Sequence, residues 1–372
     1  MSPIPVRLGL QQRVLAGYRQ PFFDSLAADC PKGLGIFAGT PRADEAVDSQ
    51  GIRSMQVAQL FPARNRHFLG GSYYLCWQSG LVHWLEAWQP EVLIVEANPR
   101  YLHTPAALRW MHARRRPVIG WGLGAPARTG FLEGLAGSLR RGFLAQFDAL
   151  ITYSRQGARQ YASSGFPPGR IIVAPNAVAP RPQSPPPERP PYYQENTAVV
   201  LFVGRLQTRK RVDFLLRACA ALEKRRPLQL WIVGEGPARP DLESLAKQVY
   251  PQARFFGTTY GSDLETLFSA ADLFVLPGTG GLAVQQAMSF GLPVIVAEAD
   301  GTQADLVRPE NGWSLPPGDL EALISAINQA LEDVARLRRM GQASYRIVAE
   351  EINLENMLKA FEQAIQLVWE GV

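Results

Sequence analysis

The sequence predicts an α/β protein with two Rossmann-like domains whose parallel sheets face a cleft. Three observations predict it. Short apolar runs recur with no polar alternation, the pattern of strands buried on both faces of a parallel sheet. Helical patterns separate the runs, as crossover connections require. A proline-rich segment, APRPQSPPPERPPYYQENTA at 179–198, divides the chain into two such series.

In the first series the runs are VRLGL (6–10), LGIF (34–37), EVLIVEA (91–97), RPVIGWG (116–122), DALITYS (148–154) and RIIVAPN (170–176). In the second they are AVVLFVGR (198–205), LQLWIVGEG (228–236), ARFFG (253–257), DLFVLPG (272–278) and LPVIVAE (292–298). Seven prolines fall between Pro180 and Pro191. Proline has no amide hydrogen and a fixed φ, so this stretch reads as a semi-rigid extended linker or hinge. The expected divisions are 1–178, 179–197 (the linker), 198–350 and 351–372. The last, INLENMLKAFEQAIQLVWEGV, repeats apolar residues at helical spacing and reads as an amphipathic helix. Spacing alone allows it to pack on its own domain or to cross back to the first.

The 372 residues suffice for two cores. No apolar run is long enough to span a membrane, and the opening MSPIPVRLGLQQR lacks the apolar core of a signal peptide. Cys30, Cys76 and Cys219 are scattered without metal-ligand spacing, which suits reduced thiols in a cytoplasmic protein. Charge is uneven. Residues 1–196 carry 21 Lys+Arg against 12 Asp+Glu, and 197–372 carry 17 against 21. The basic half is the one expected to meet an anionic surface or acceptor, although solvated arginines would give the same balance.

Two stretches carry anion chemistry. In FVGRLQTRKRVDFLL (202–216) a strand runs into Gly204 and Arg205, with Lys210 at a helix start. Helix-start amides attract anions, a guanidinium grips two oxygens and an ammonium adds a point charge, so Arg205 and Lys210 suit a diphosphate. Surface arginines on a loop are the plain alternative. In PGTGGLAVQQAMSFGLPVIV (277–296), Thr279, Gly280 and Gly281 form a turn before a helix over about 282–290. Glycines let a ligand approach the backbone. Strands ending on one edge of a sheet would bring both loops to one crevice. No Asp-x-Asp pair occurs, so a metal-dependent sugar-nucleotide site of that type is not expected, and no G-x-S-x-G, P-loop or H-E-x-x-H motif occurs.

Most of 198–333 resembles a family 4 glycosyltransferase of the GT-B fold. The matching motifs are FVGRLQTRKRVDFLL, LWIVGEGPARPDLESLA, FFGTTYGSDLETLFSAADLFVLPG, QQAMSFGLPVIVAEADGTQADLV and NGWSLPPGDLEALISAI. DALITYSRQGARQYASSGFPPGRIIVAPNAV (148–178) fits too, while QQRVLAGYRQPFF (11–23) and VLIVEANPRYL (92–102) are similar to a bacterial branch. The resemblance implies transfer of a hexose from a nucleotide-sugar to a glycan or lipid-linked acceptor, with retained configuration and neither cofactor nor metal. It implies that Arg205 and Lys210 hold the donor diphosphate and that Thr279, Gly280, Gly281 and Leu282 meet the donor phosphate or sugar. Thr259 and Tyr260 would border the base, and the terminal helix would return to the first domain.

The sequence departs from the family in three places. Two glutamates usual in this loop fall, in register, on Gly278 and Gln286. Gln286 can still accept from the donor ribose, as a neutral group; the loss is about tenfold in donor affinity. Gly278 cannot contact the sugar. A histidine usual after the strand PVIGWGLG is replaced by Leu123, so no catalytic base is assigned. These departures raise a second reading, a pseudo-enzyme that binds a sugar nucleotide or a partner glycosyltransferase. On the acceptor side, Arg13 and Arg19 flank the exit of the first strand, Glu96, Asn98 and Arg100 follow VLIVEA, and Trp121 lies in GWGLG. Arg114–Arg116 and Arg140–Arg141 suit peripheral contact with an anionic inner-membrane face, or are solvated helix ends. Nucleic-acid binding is not expected, because the arginines are not interleaved with exposed aromatics.

Overall fold

The computed structural model describes residues 4–42, 55–125, 133–280, 282–298 and 302–370. It divides into two compact units: Met1–Val178 with Leu354–Val372, and Ala179–Asn353.

The first unit holds strands β1 (Leu8–Val14), β2 (Leu34–Gly39), β3 (Gln59–Phe68), β4 (Leu75–Ser79), β5 (Val92–Glu96), β6 (Val118–Gly122), β7 (Ala149–Thr152) and β8 (Ile171–Val173). They form one sheet in the order β4-β3-β2-β1-β5-β6-β7-β8. All pairings are parallel except β3 with β4. β1 lies between β2 and β5, with Leu10 opposite both Ile36 and Ile94. Most of the predicted runs are buried here, with Leu8, Leu10, Ile36, Val92, Ile94 and Ile151 inaccessible to solvent, while the edge strand β8 is half-buried. β3 and β4 depart from an all-parallel sheet and match no predicted run. Their residues alternate between exposed and covered, as an antiparallel edge open to solvent on one face requires.

Helices cover the sheet faces. α1 (Gln20–Ala28) carries Pro21 in its first turn, where the missing amide hydrogen costs nothing. α2 (Leu81–Trp88), α3 (Thr104–His112) and α4 (Glu133–Leu144) follow, and then α5 (Arg155–Ser163), whose N-cap Ser154 Oγ accepts from the Gly157 amide at 3.0 Å.

The second unit contains β9 (Ala198–Val203), β10 (Leu228–Val233), β11 (Arg254–Gly257), β12 (Leu273–Leu276), β13 (Val294–Ala297) and β14 (Gly312–Leu315). The order is β11-β10-β9-β12-β13-β14, parallel throughout. Its helices are α6 (Val212–Glu223), α7 (Arg239–Val249), α8 (Gly261–Ala270), α9 (Leu282–Ser289), α10 (Gln303–Leu306), α11 (Leu320–Glu332) and α12 (Val334–Arg346). Asp319 and Asp333 cap α11 and α12 by accepting the Ala322 and Arg336 amides, each at 2.9 Å.

Between 179 and 193 the proline-rich segment forms neither helix nor strand, and it is fastened to the second unit. Arg189 donates to the carbonyls of Ala271 (2.9 Å), Phe290 (2.7 Å) and Phe268 (2.8 Å). Arg338 Nε donates to Pro190 O at 3.0 Å, and Tyr345 Oη to Ser184 O at 2.8 Å. The terminal helix α13 (Leu354–Trp369) belongs to the first unit. Its Phe361 ring meets Phe22 at 4.8 Å and Trp121 at 4.9 Å, both edge-on.

Candidate functional site

In an open parallel sheet, ligands bind beyond the carboxyl ends of the strands where strand order reverses direction. The second unit builds outward from β9 to β10 and β11, then restarts on the other side with β12. Its reversal lies between β9 and β12. The loops leaving those strands hold Arg205–Arg211 and Pro277–Gly280. The first unit reverses between β1 and β5, whose exits carry Arg13–Arg19 and Glu96–Arg100.

In the second unit the two loops interlock. The Thr279 amide donates to Arg209 O at 3.1 Å, and Arg209 Nη1 donates to Thr279 Oγ1 at 3.0 Å. Gly278 is buried with Arg209 and Lys210 packed against it, so closely that a Cβ there would overlap their backbone atoms. Gly280 has φ +137°, a conformation glycine adopts without strain, and a Cβ on it would meet Lys210 Nζ. Lys210 is therefore beside the glycine turn. Burial, helped by the neighbouring Arg209 charge, lowers its ammonium to about 8. Gln303 Nε2 donates to Gly280 O at 3.1 Å and braces the turn from α10.

The remaining residues sit as follows. Arg205 is exposed at the β9 exit, with no hydrogen-bond or ion-pair partner among the described residues. Gln286 is half-buried on α9, its side-chain amide unpartnered among those residues. Leu282 begins α9; Gly281 lies outside the described residues. Thr259 and Tyr260 follow the edge strand β11, with Tyr260 78% exposed. A separate cavity of about 200 Å³ is lined by Arg189, Asp272, Trp231 and Arg338 among others and includes none of the predicted donor residues.

In the first unit, Glu96 is half-buried at the end of β5 and its carboxylate accepts from the Arg13 amide. Burial pushes its carboxyl up to about 7, against the lowering influence of that hydrogen bond and of the Arg13 and Arg19 charges. Arg19 is buried. Its Nη2 donates to Asn176 Oδ1 at 3.0 Å, and its guanidinium lies 4.9 Å from the Trp121 ring and 5.2 Å from the Tyr153 ring. Arg19 Nη1 is buried without a hydrogen-bond partner among the described residues. Trp121 is 1% exposed, packed against Phe22, Tyr153 and Phe361. It is a floor beneath Arg19, not a surface that a ligand touches. Asn98 Oδ1 accepts from the Arg100 amide at 3.1 Å, closing a local turn, and Arg100 is exposed.

A buried glutamine relay supports Glu96. Gln11 Oε1 accepts from the Glu96 amide at 3.3 Å, and Gln11 Nε2 donates to Gln78 Oε1 at 2.6 Å. Gln78 Nε2 donates in turn to Gln12 O at 2.9 Å. The Gln78 amide donates to His103 Nδ1 at 3.0 Å, and burial drives that imidazole down to about 4, so it is neutral. Sequence reasoning missed Gln11, Gln78, Asn176, Arg209 and Gln303. Its available signal was QQ inside the apolar strand LGLQQRV, since polar side chains buried in a strand need partners.

Two family models match: a glycosyl transferase 4-like domain over residues 6–177 and glycosyl transferases group 1 over 197–333. Among curated relatives, a GDP-mannose-dependent alpha-mannosyltransferase of Mycolicibacterium smegmatis is 39% identical over 154 residues, 40% of this chain and 38% of that protein. The sulfoquinovosyl transferase of Arabidopsis thaliana is 32% identical over 153 residues, 39% of this chain and 29% of that protein. The chain spans less than half the length of the curated relatives it matches. Among solved structures, Anabaena HepE in complex with UDP superposes with a TM-score of 0.70 at 16% identity, covering 98% of this chain and 99% of that one. The apo lipopolysaccharide outer core galactosyltransferase WaaB gives 0.67 at 16% identity, covering 95% and 98%. At these identities the structural likeness speaks for the fold. With a glycosyltransferase domain matched in each half, the chain belongs to the GT-B fold glycosyltransferases and resembles family 4.

Proposed function

We propose that the chain is a retaining, metal-independent hexosyltransferase that moves a sugar from a nucleotide-sugar to a glycan or lipid-linked acceptor. The observation that carries the reading is the placement of Lys210 Nζ against Gly280, at the point where strand order reverses in the second sheet. Relatives named for GDP-mannose and a structural relative solved with UDP support a nucleotide-sugar as donor.

In this reading Lys210 and Arg205 hold the diphosphate, and the turn at Thr279–Leu282 meets the phosphate next to the sugar. Gln286 accepts from the ribose, and Thr259 and Tyr260 border the base. As the glycosidic bond breaks, the leaving diphosphate gains charge and the sugar becomes oxocarbenium-like. Fixed cations stabilise that charge without reorganising. The acceptor hydroxyl bonds to the anomeric carbon on the face the diphosphate leaves, and its proton passes to a departing phosphate oxygen. No protein base is then required, which accommodates Leu123. The first unit's switch point, with Glu96, Arg19, Arg13, Asn98 and Arg100, receives the acceptor, and Trp121 holds Arg19 in place. The enzyme acts in the cytoplasm, peripherally at the inner membrane face.

The test is a thermal-shift titration of the full chain with UDP-, GDP- and ADP-sugars, followed by nucleotide release. A bound donor raises the melting temperature by mass action. The rise should vanish in Arg205→Ala and Lys210→Ala, and release should occur only with the donor that binds. A shift that survives both substitutions would refute the donor site; binding without release would refute the activity.

A further inference from the structure

We propose that the β3–β4 hairpin docks the protein on an anionic lipid bilayer. This deepens the peripheral membrane reading above, to which the sequence had assigned two other arginine clusters. Several of those arginines make contacts within the fold, while Arg115 stays exposed. Arg114 donates to Trp110 O at 3.1 Å and lies 3.9 Å from its ring, and Arg116 donates to Gln89 Oε1 at 2.9 Å and Pro90 O at 3.1 Å. Arg141 donates to Ser138 Oγ at 3.0 Å.

The hairpin is different on its two faces. Inward, Phe61 packs against Trp84 and Trp88, and His67 Nδ1 shares a hydrogen bond of 2.8 Å with Tyr74 Oη. Outward, Leu60, Pro62, Arg64, Arg66 and Phe68 occupy alternate positions and all are exposed. Ladder register sets Arg66 opposite the exposed Trp77 and Phe68 opposite Leu75. At the tip, Leu69 is 70% exposed with φ +58°, and Tyr73 is 78% exposed.

Charge complementarity names the occupant. Arg64 and Arg66 have no ion-pair partner among the described residues, and no Asp or Glu occurs anywhere from 49 to 85. A strand face kept free of acids, with arginine beside tryptophan and an apolar tip beyond, matches the layers of a bilayer surface. Guanidinium forks pair with lipid phosphates, Trp and Tyr sit at headgroup level, and Phe and Leu reach the acyl boundary.

The test uses the full chain without donor or acceptor. It is sedimented with phosphatidylcholine vesicles and with vesicles doped with phosphatidylglycerol. Binding should be confined to the doped vesicles and weaken with salt. Arg64→Glu with Arg66→Glu, and separately Phe68→Ser with Leu69→Ser, should each reduce it by roughly tenfold or more. The donor-induced thermal shift should be unchanged in both, which separates failure of docking from failure of the donor reading. Equal binding to neutral vesicles, undiminished binding by either variant, or loss only on replacing Arg114, Arg115, Arg116, Arg140 and Arg141 would overturn the proposal. So would self-association of the chain through the same hairpin residues in place of vesicle binding.

Discussion

Gly278 lies directly on the backbone of Lys210: a Cβ at 278 would sit 2.6 Å from Lys210 Cα and 2.5 Å from its carbonyl carbon. Real Cβ atoms do not approach that closely, so no side chain has room at 278 while the β9–α6 loop keeps its path. Gly278→Ala should cost about 1–3 kcal/mol from overpacking, read as a lowered melting temperature. Gly278→Glu, which introduces the acid that the resemblance to family 4 implies for this position, should abolish the donor-induced thermal shift instead of improving it.

Lys210 gives a pH signature. Its ammonium titrates near 8 in the free protein because it is buried beside Arg209. A bound diphosphate favours the charged form, so donor binding near pH 8 should take up a proton and weaken as pH rises further. Calorimetry in two buffers of different ionisation enthalpy measures that uptake, which should disappear in Lys210→Ala. For the free protein the sign is opposite: between about 8 and the ordinary lysine value the unfolded chain holds the extra proton, so this group makes stability rise with pH there.

Glu96 should shape the acceptor side. With its carboxyl near 7, the folded chain holds the extra proton between the ordinary glutamate value and about 7, so this group lowers stability as pH climbs through that window. Glu96→Gln should therefore be the more stable protein at pH 8, by about 1–3 kcal/mol, in denaturant melts. If the carboxylate orients the acceptor, transfer should rise with pH through about 7, and that limb should be missing in the variant.

Arg189 donates to four backbone carbonyls, those of Phe268, Ala271, Phe290 and Gly291, from one guanidinium. Arg189→Ala leaves them unpaired and should destabilise the second unit by roughly 2–4 kcal/mol. Lysine should not rescue it, since an ammonium cannot reproduce the planar fork. Thermal unfolding of the three proteins checks both statements.

Phe361→Ala should cost about 3–5 kcal/mol, because it opens a cavity between Phe22 and Trp121 in the first unit's core. Loss of near-ultraviolet circular dichroism from Trp121 would report it.

Sequence legibility followed burial. Runs such as AVVLFV and VLIVE were readable because strands covered on both faces carry no polar alternation. β3 and β4 were not, since one face is open to solvent and QLFPARNRHF reads as a loop. Trp121 lies next to last in β6 and was expected at a ligand surface; it shares a face with Ile119, and that face turns toward α1 and α13. Lys210 beside Gly280 was anticipated from strand order. The contact of Gly278 with the loop before α6 was not, because backbone atoms meeting across some seventy residues leave no periodicity to read. The glutamine relay escaped for a related reason: its partners come from strands far apart in sequence, and only the paired glutamines of β1 hinted at it.

The placement of α13 sets an order on synthesis. A ribosome delivers residues 1–178 well before 354–369, yet Leu358, Phe361 and Ile365 seal the earlier unit. That nascent half therefore waits with a greasy groove uncovered while the other half is translated and folds. Chaperone dependence during translation, and aggregation of chains stopped at about residue 353, are the expected biological cost.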